Sequence, residues 1–203
     1  MNTLLIYAIE IPAILIALTF HEYMHGRVAY ALGDPTPKNQ GRLTLNPIRH
    51  LDPLGSLLLL LVGFGWAKPV EVNPFHFKGD RGRGMLWVSL AGPGTNLVLA
   101  VLAAVAWRLT GGSGTLINFF FQYLFQINVV LAVFNLLPVP PLDGSKILAG
   151  LLPMRHRHII YNIERYGTVI LLLLVITGFI RIILMPLVGI VMQGINGFLS
   201  LFF

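Results

Sequence analysis

LTFHEYMHGRVAYAL, residues 18–32, decides how the whole chain is read. It closes an apolar run that begins near Leu4 and sets two histidines and a glutamate where side chains facing lipid belong. Ionisable groups inside a membrane span are costly and mark functional sites. The surrounding composition is that of an integral membrane protein: 56% of the 203 residues are hydrophobic and 11% are charged. The mean hydropathy of +0.78 lies outside the range of domains that fold in water. The first run continues past His25 without a small-residue cleavage site, so it reads as a retained span and not as a signal peptide.

Apolar segments predict spans at Leu4–Leu32, Met85–Leu109, Leu116–Leu137, Thr168–Leu184 and Pro186–Phe203. The expected fold is an all-α polytopic membrane protein of about five transmembrane helices, each near the ~18–20 residues that cross a bilayer. Residues 33–84 separate the first two spans and include an apolar piece, Leu57–Phe64, too short to cross. Within them RLTLNP (42–47) and KPVEVNP (68–74) alternate Leu43 with Leu45 and Val70 with Val72. They read as a small membrane-associated β-hairpin or short sheet on the cytoplasmic side, or else as plain loop.

Lys38, Arg42, Arg49, Lys68, Lys78, Arg81 and Arg83 lie in residues 33–84, whereas the connector TGGSGT at 110–115 has no cation. Positive charge stays inside, so residues 33–84 are expected in the cytoplasm and the N-terminus outside. His21 and His25 then fall in the cytoplasmic half of the first helix. The net charge of +6 follows from this topology and gives no reason to expect a nucleic acid. RHRH at 155–158 reads as a cluster facing anionic lipid.

Cysteine is absent, which excludes disulfides and thiolate ligands, so a metal would be held by His, Asp or Glu. Histidines four apart on a helix project side by side, so His21 and His25 can share one ion. Glu22 points to an adjacent direction, suited to taking a proton from a water at the metal. A third ligand must come from elsewhere. Asp143 lies at the end of NLLPVPPLDG (135–144), whose prolines interrupt the helix, and broken backbone at membrane depth is tolerated where it lines a cavity. Asp143 could equally cap the helix that begins at GSKILAGLL.

HEYMH in a transmembrane helix, followed by NLLPVPPLDG, resembles the site-2 protease family of intramembrane zinc metalloproteases. GRLTLNP, GFGWAKPVEVNP and LAGPGTN are similar to stretches the family places between its metal-binding helices. The resemblance implies one Zn²⁺ per chain held by His21, His25 and Asp143, with Glu22 as catalytic base. Asn135 corresponds to a family asparagine that steadies substrate or oxyanion, and Asn96 to a position that orients substrate or neighbouring backbone. The implied activity is hydrolysis of a peptide bond in or near the transmembrane helix of a membrane-protein substrate, as in regulated intramembrane proteolysis. An exposed edge at KPVEVN would pair with the unwinding substrate.

The expected layout is a metalloprotease core at 1–152 and C-terminal transmembrane helices at 153–203. The resemblance leads us to expect a minimal member without a PDZ or nucleotide-sensing domain, in a bacterial or archaeal cell membrane. Substrate identity, a homo-oligomer and a regulatory membrane partner stay open. A metal-binding transporter would repeat ligands along a path, whereas these converge. A catalytically inactive, substrate-binding relative fits poorly with the glutamate retained at position 22.

Overall fold

The computed structural model describes residues 3–62, 65–111, 114–153 and 162–202. Among these residues the helices are α1 (Thr3–Ala31), α2 (Thr36–Asn39), α3 (Pro53–Val62), α4 (Arg81–Leu109), α5 (Leu116–Leu136), α6 (Asp143–Leu151), α7 (Gly167–Ile176) and α8 (Phe179–Leu199). Four of them, α1, α4, α5 and α8, are long and apolar enough to cross a membrane. The RHRH cluster lies outside the described residues.

One face of α1 explains the packing. Ile9, Ala13, Ala17, His21, His25 and Ala29 recur every four residues, and all are buried. Such a ridge seats in the grooves of neighbouring helices, and its alanines let backbones approach closely. On α4 the answering surface is equally small: Ser89, Gly92, Asn96, Ala100, Ala103 and Ala104 are buried. Phe125, Val129 and Val133 of α5, with Val188 and Leu199 of α8, close the apolar part of this core around Ala13.

The C-terminal part differs from the five-span expectation. The break falls at Gly178, not before Pro186. Gly178 adopts φ +73°, and its N–H bonds the Val175 carbonyl at 3.0 Å. Only glycine enters this left-handed region freely, and it ends α7 there. Pro186 sits inside α8, where a membrane helix tolerates it. With 10 residues, α7 is about 15 Å long at ~1.5 Å per residue, half of a bilayer core.

Neither RLTLNP nor KPVEVNP is a strand among the described residues; each runs without regular structure up to its last residue, where Pro47 and Pro74 open the short 3-10 helices Pro47–His50 and Pro74–His76, and one antiparallel bridge joins Leu51 to Ala67. The donors a ladder would use go to side chains instead. Val70 N–H donates to Glu22 at 2.9 Å and Asn73 N–H to Asp34 at 2.7 Å. The Arg42 guanidinium ties the two stretches together by donating to the carbonyls of Arg49 and Lys68. Pro47, Pro69 and Pro74 have no N–H to contribute.

Candidate metal centre

The site forms where the α1 ridge meets α4 and the start of α6. His21 and His25 lie one turn apart, with ring centroids 4.6 Å apart and planes at 84°. Gly92 makes room for them: a Cβ there would stand 2.5 Å from His25 Nε2 and 2.6 Å from His21 Cε1. From the other side Asp143 brings Oδ2 to 3.2 Å from His21 Nε2 and 3.1 Å from His25 Nε2. Asp143 is the first residue of α6, and the N-cap is Leu142, so its carboxylate serves the histidines and does not cap the helix. The helix N-terminus beneath it favours a negative charge.

Approach of α6 to α5 is set by Gly144, whose missing Cβ leaves space for the carbonyls of Leu136 and Leu137. The connecting turn is stabilised by Val139 N–H to the Leu137 carbonyl at 2.8 Å and Leu142 N–H to the Val139 carbonyl at 2.9 Å. This is the broken stretch flagged by three prolines, and it carries the carboxylate into the bundle.

Hydrogen bonds on the far side of each imidazole fix its tautomer. His25 Nδ1 lies 2.7 Å from the Val88 carbonyl, which can only accept, so Nδ1 carries the proton. His21 Nδ1 lies 2.6 Å from Asn96 Oδ1. The Asn96 amide nitrogen donates to the Ala17 carbonyl at 3.1 Å, so its oxygen is the atom turned to His21. In neutral imidazoles both Nε2 atoms are therefore bare, and they face each other at 3.0 Å. With neutral rings and an ionised Asp143, two nitrogen lone pairs and a carboxylate oxygen would repel one another in this buried space. A divalent cation resolves this, and the three ligand atoms lie within 4.8 Å of one another. His₂-carboxylate with bare Nε2 atoms is a zinc donor set, and the outer bonds to Asn96 and Val88 orient the rings as metal-ligand histidines require. Among the described residues this is the one group of three such side chains.

Glu22 is buried beside the pair, its Oε2 held by Val70 N–H at 2.9 Å. Asn96 has no exposed surface; the structure places it against His21 and away from any open face. Asn135 sits near the end of α5, half-buried, donating to the Leu131 carbonyl at 3.0 Å. Glu10 lies far up α1, lining a separate cavity of about 290 Å³ with Gln122, Tyr123 and Gln126. Gly92, the Val70 amide and Asn128, which bonds Asn96, are parts of the site that sequence reasoning missed. Only Asn128 carries a local signal, as an amide in the middle of an apolar span.

Membrane-length helices enclosing a His, His, Asp donor set with a buried glutamate alongside define a membrane metallopeptidase. The profile of peptidase family M50 matches residues 112–178. "Putative zinc metalloprotease YwhC" of Bacillus subtilis is 42% identical over 197 residues, covering 93% of this chain and 88% of that protein. "Putative zinc metalloprotease Rip2" of Mycolicibacterium smegmatis is 31% identical over 178 residues, 85% of this chain and 68% of its own. "Putative zinc metalloprotease MJ0611" of Methanocaldococcus jannaschii is 31% identical over 149 residues, 72% of each. No solved structure matches significantly. The chain belongs to peptidase family M50, the site-2 protease family.

Proposed function

We propose that this protein is an intramembrane zinc endopeptidase that cuts a peptide bond in or next to the transmembrane helix of a membrane-protein substrate, with one Zn²⁺ held by His21, His25 and Asp143. The observation that carries this reading is the convergence of the His21, His25 and Asp143 ligand atoms beside Glu22 among helices long and apolar enough to cross a membrane. Zinc, when bound there, polarises the scissile carbonyl and makes water a nucleophile at neutral pH. Glu22 takes the proton of the attacking water and returns it to the departing amine. Its bond from Val70 N–H restrains the carboxylate between those two tasks. Asn135 has a second amide proton to offer a substrate carbonyl or oxyanion.

Residues 68–73 run non-helical beside Glu22; with the Val70 and Asn73 amides engaged by Glu22 and Asp34, pairing with a substrate backbone drawn out of its helix would run through Val72, and Val72→Pro is expected to slow cleavage. The cation-rich segment 33–84 lies on the cytoplasmic side in this reading, so water enters the site from there.

The test is Glu22→Gln in proteoliposomes with a panel of single-span substrates. Zinc content is expected unchanged and cleavage to fall by roughly 10²–10⁴-fold. Wild-type cleavage by a zinc-loaded Glu22→Gln protein would overturn the reading.

A further inference from the structure

The zinc reading leaves one set of buried groups unexplained: the amide of Asn128, two helices away from the metal. Asn128 and Asn96 are both 0% exposed. Asn128 Nδ2 donates to the Leu124 carbonyl of its own helix at 2.8 Å, which turns Asn128 Oδ1 outward. That oxygen accepts from Asn96 Nδ2 at 2.8 Å. The other proton of the same Asn96 nitrogen goes to the Ala17 carbonyl at 3.1 Å. Asn96 Oδ1 is left to accept from His21 Nδ1 at 2.6 Å.

Each link in this row has a direction, and the direction is set at its ends by two backbone carbonyls that can only accept. Rotating the Asn96 amide by half a turn would set its oxygen against two other oxygens and present an NH₂ to His21. His21 would then have to accept at Nδ1, and its proton would move to Nε2, the atom that faces His25 and Asp143. An Nε2 with a proton cannot ligate. A single acceptor at Ala17 gives the Asn96 amide one reason to keep its orientation; Asn128 supplies the second and occupies the other proton.

We propose that Asn128 is a positioning residue for the metal centre: through Asn96 it fixes His21 in the Nδ1–H tautomer and keeps Nε2 free for zinc. The inference rests on the zinc reading of the site, but it concerns a proton position that can be read without metal and without substrate. Outer partners of metal-bound histidines are worth roughly 10–100-fold in affinity when removed, and Asn128 acts one residue further out, so the lower end, about tenfold, is expected.

Two variants of the full chain in detergent separate polarity from packing. Asn128→Leu keeps the shape and removes both polar contacts. Asn128→Asp, protonated in this apolar surrounding, has a hydroxyl for the Leu124 carbonyl and a carbonyl oxygen for Asn96, reproducing the polarity. Imidazole ¹⁵N spectra of the zinc-free proteins at a pH where the rings are neutral should show His21 with Nδ1 protonated in wild type and Asn128→Asp. Asn128→Leu should show a mixture. Zinc competition with a chelator should give about tenfold weaker binding for Asn128→Leu and wild-type binding for Asn128→Asp.

His21 protonated at Nδ1 in Asn128→Leu with wild-type zinc affinity would overturn the proposal, as would Nε2 protonation in the wild-type spectrum, a measurement that does not depend on any variant folding. Failure of the protease reading would show differently, as a protein that binds zinc with the expected tautomer and cleaves nothing.

Discussion

Asp34 and Asp143 are both buried carboxylates with a histidine nitrogen beside them, at 3.0 Å for Asp34 and 3.1 and 3.2 Å for Asp143. Asp34 is surrounded by donors: Thr36 N–H at 3.0 Å, Thr36 Oγ1 at 2.6 Å, Asn73 N–H at 2.7 Å and His76 Nδ1 at 3.0 Å. Burial pushes its carboxyl up, and the bonds from Thr36, His76 and Asn73 outweigh that and hold it below the usual carboxylate range. Asp143 faces two imidazole nitrogens whose protons are on the other side of the ring. One carboxylate is satisfied by donors of the protein and ties residues 73–76 to the end of α1; the other converges with two ring nitrogens in the arrangement a cation would bridge. Proton positions, more than burial or distance, distinguish a structural acid from a ligand.

The strongest way to break this contrast is to neutralise each acid in turn. Asp143→Asn is expected to abolish cleavage and to weaken zinc by more than the roughly 10–100-fold of an outer-partner loss, measured by chelator competition. Asp34→Asn should bind zinc as wild type. Its amide turns N–H protons toward existing donors, so detergent unfolding should show a loss of about 1–3 kcal/mol. Equal zinc affinity in the two variants would erase the distinction.

Filling the space between the histidines comes next in size. Gly92→Ala puts a methyl group within 2.5 Å of His25 Nε2, and overpacking of this kind costs about 1–3 kcal/mol. The observable consequence is loss of zinc from a protein that still inserts as a helical bundle, followed by circular dichroism and metal analysis.

The smallest effect concerns acidity. A carboxylate whose folded pKa is depressed contributes stability that is complete above its unfolded value of about 3.9 and is lost as pH falls through the folded value. The stability gap between wild type and Asp34→Asn should therefore be constant near neutrality and shrink below about pH 4. A gap that widened on acidification would reverse the sign assigned to Asp34.

Much of the site is written locally. His21, Glu22 and His25 share a helix whose periodicity sets their faces, and the prolines before Asp143 announce broken backbone. What is not local is harder to read. The Val70 amide reaches Glu22 across 48 residues and Asn128 reaches Asn96 across 32, and no periodicity links such positions. RLTLNP and KPVEVNP alternate like strands, yet the carboxylates of Glu22 and Asp34, with Arg42, occupy backbone groups that pairing would need. At the C-terminus a proline suggested the break between helices, and a glycine that can take a positive φ makes it.

From the sequence alone come the membrane helices, the paired histidines on one face of the first of them, and the glutamate at their side. These follow from hydropathy and the 3.6-residue turn. Tertiary structure decided that Asp143 faces the histidines, that Gly92 leaves them room, and which imidazole nitrogens are bare. Those outcomes depend on how closely separate helices approach and which carbonyls they present, and helix packing, not chain order, sets both.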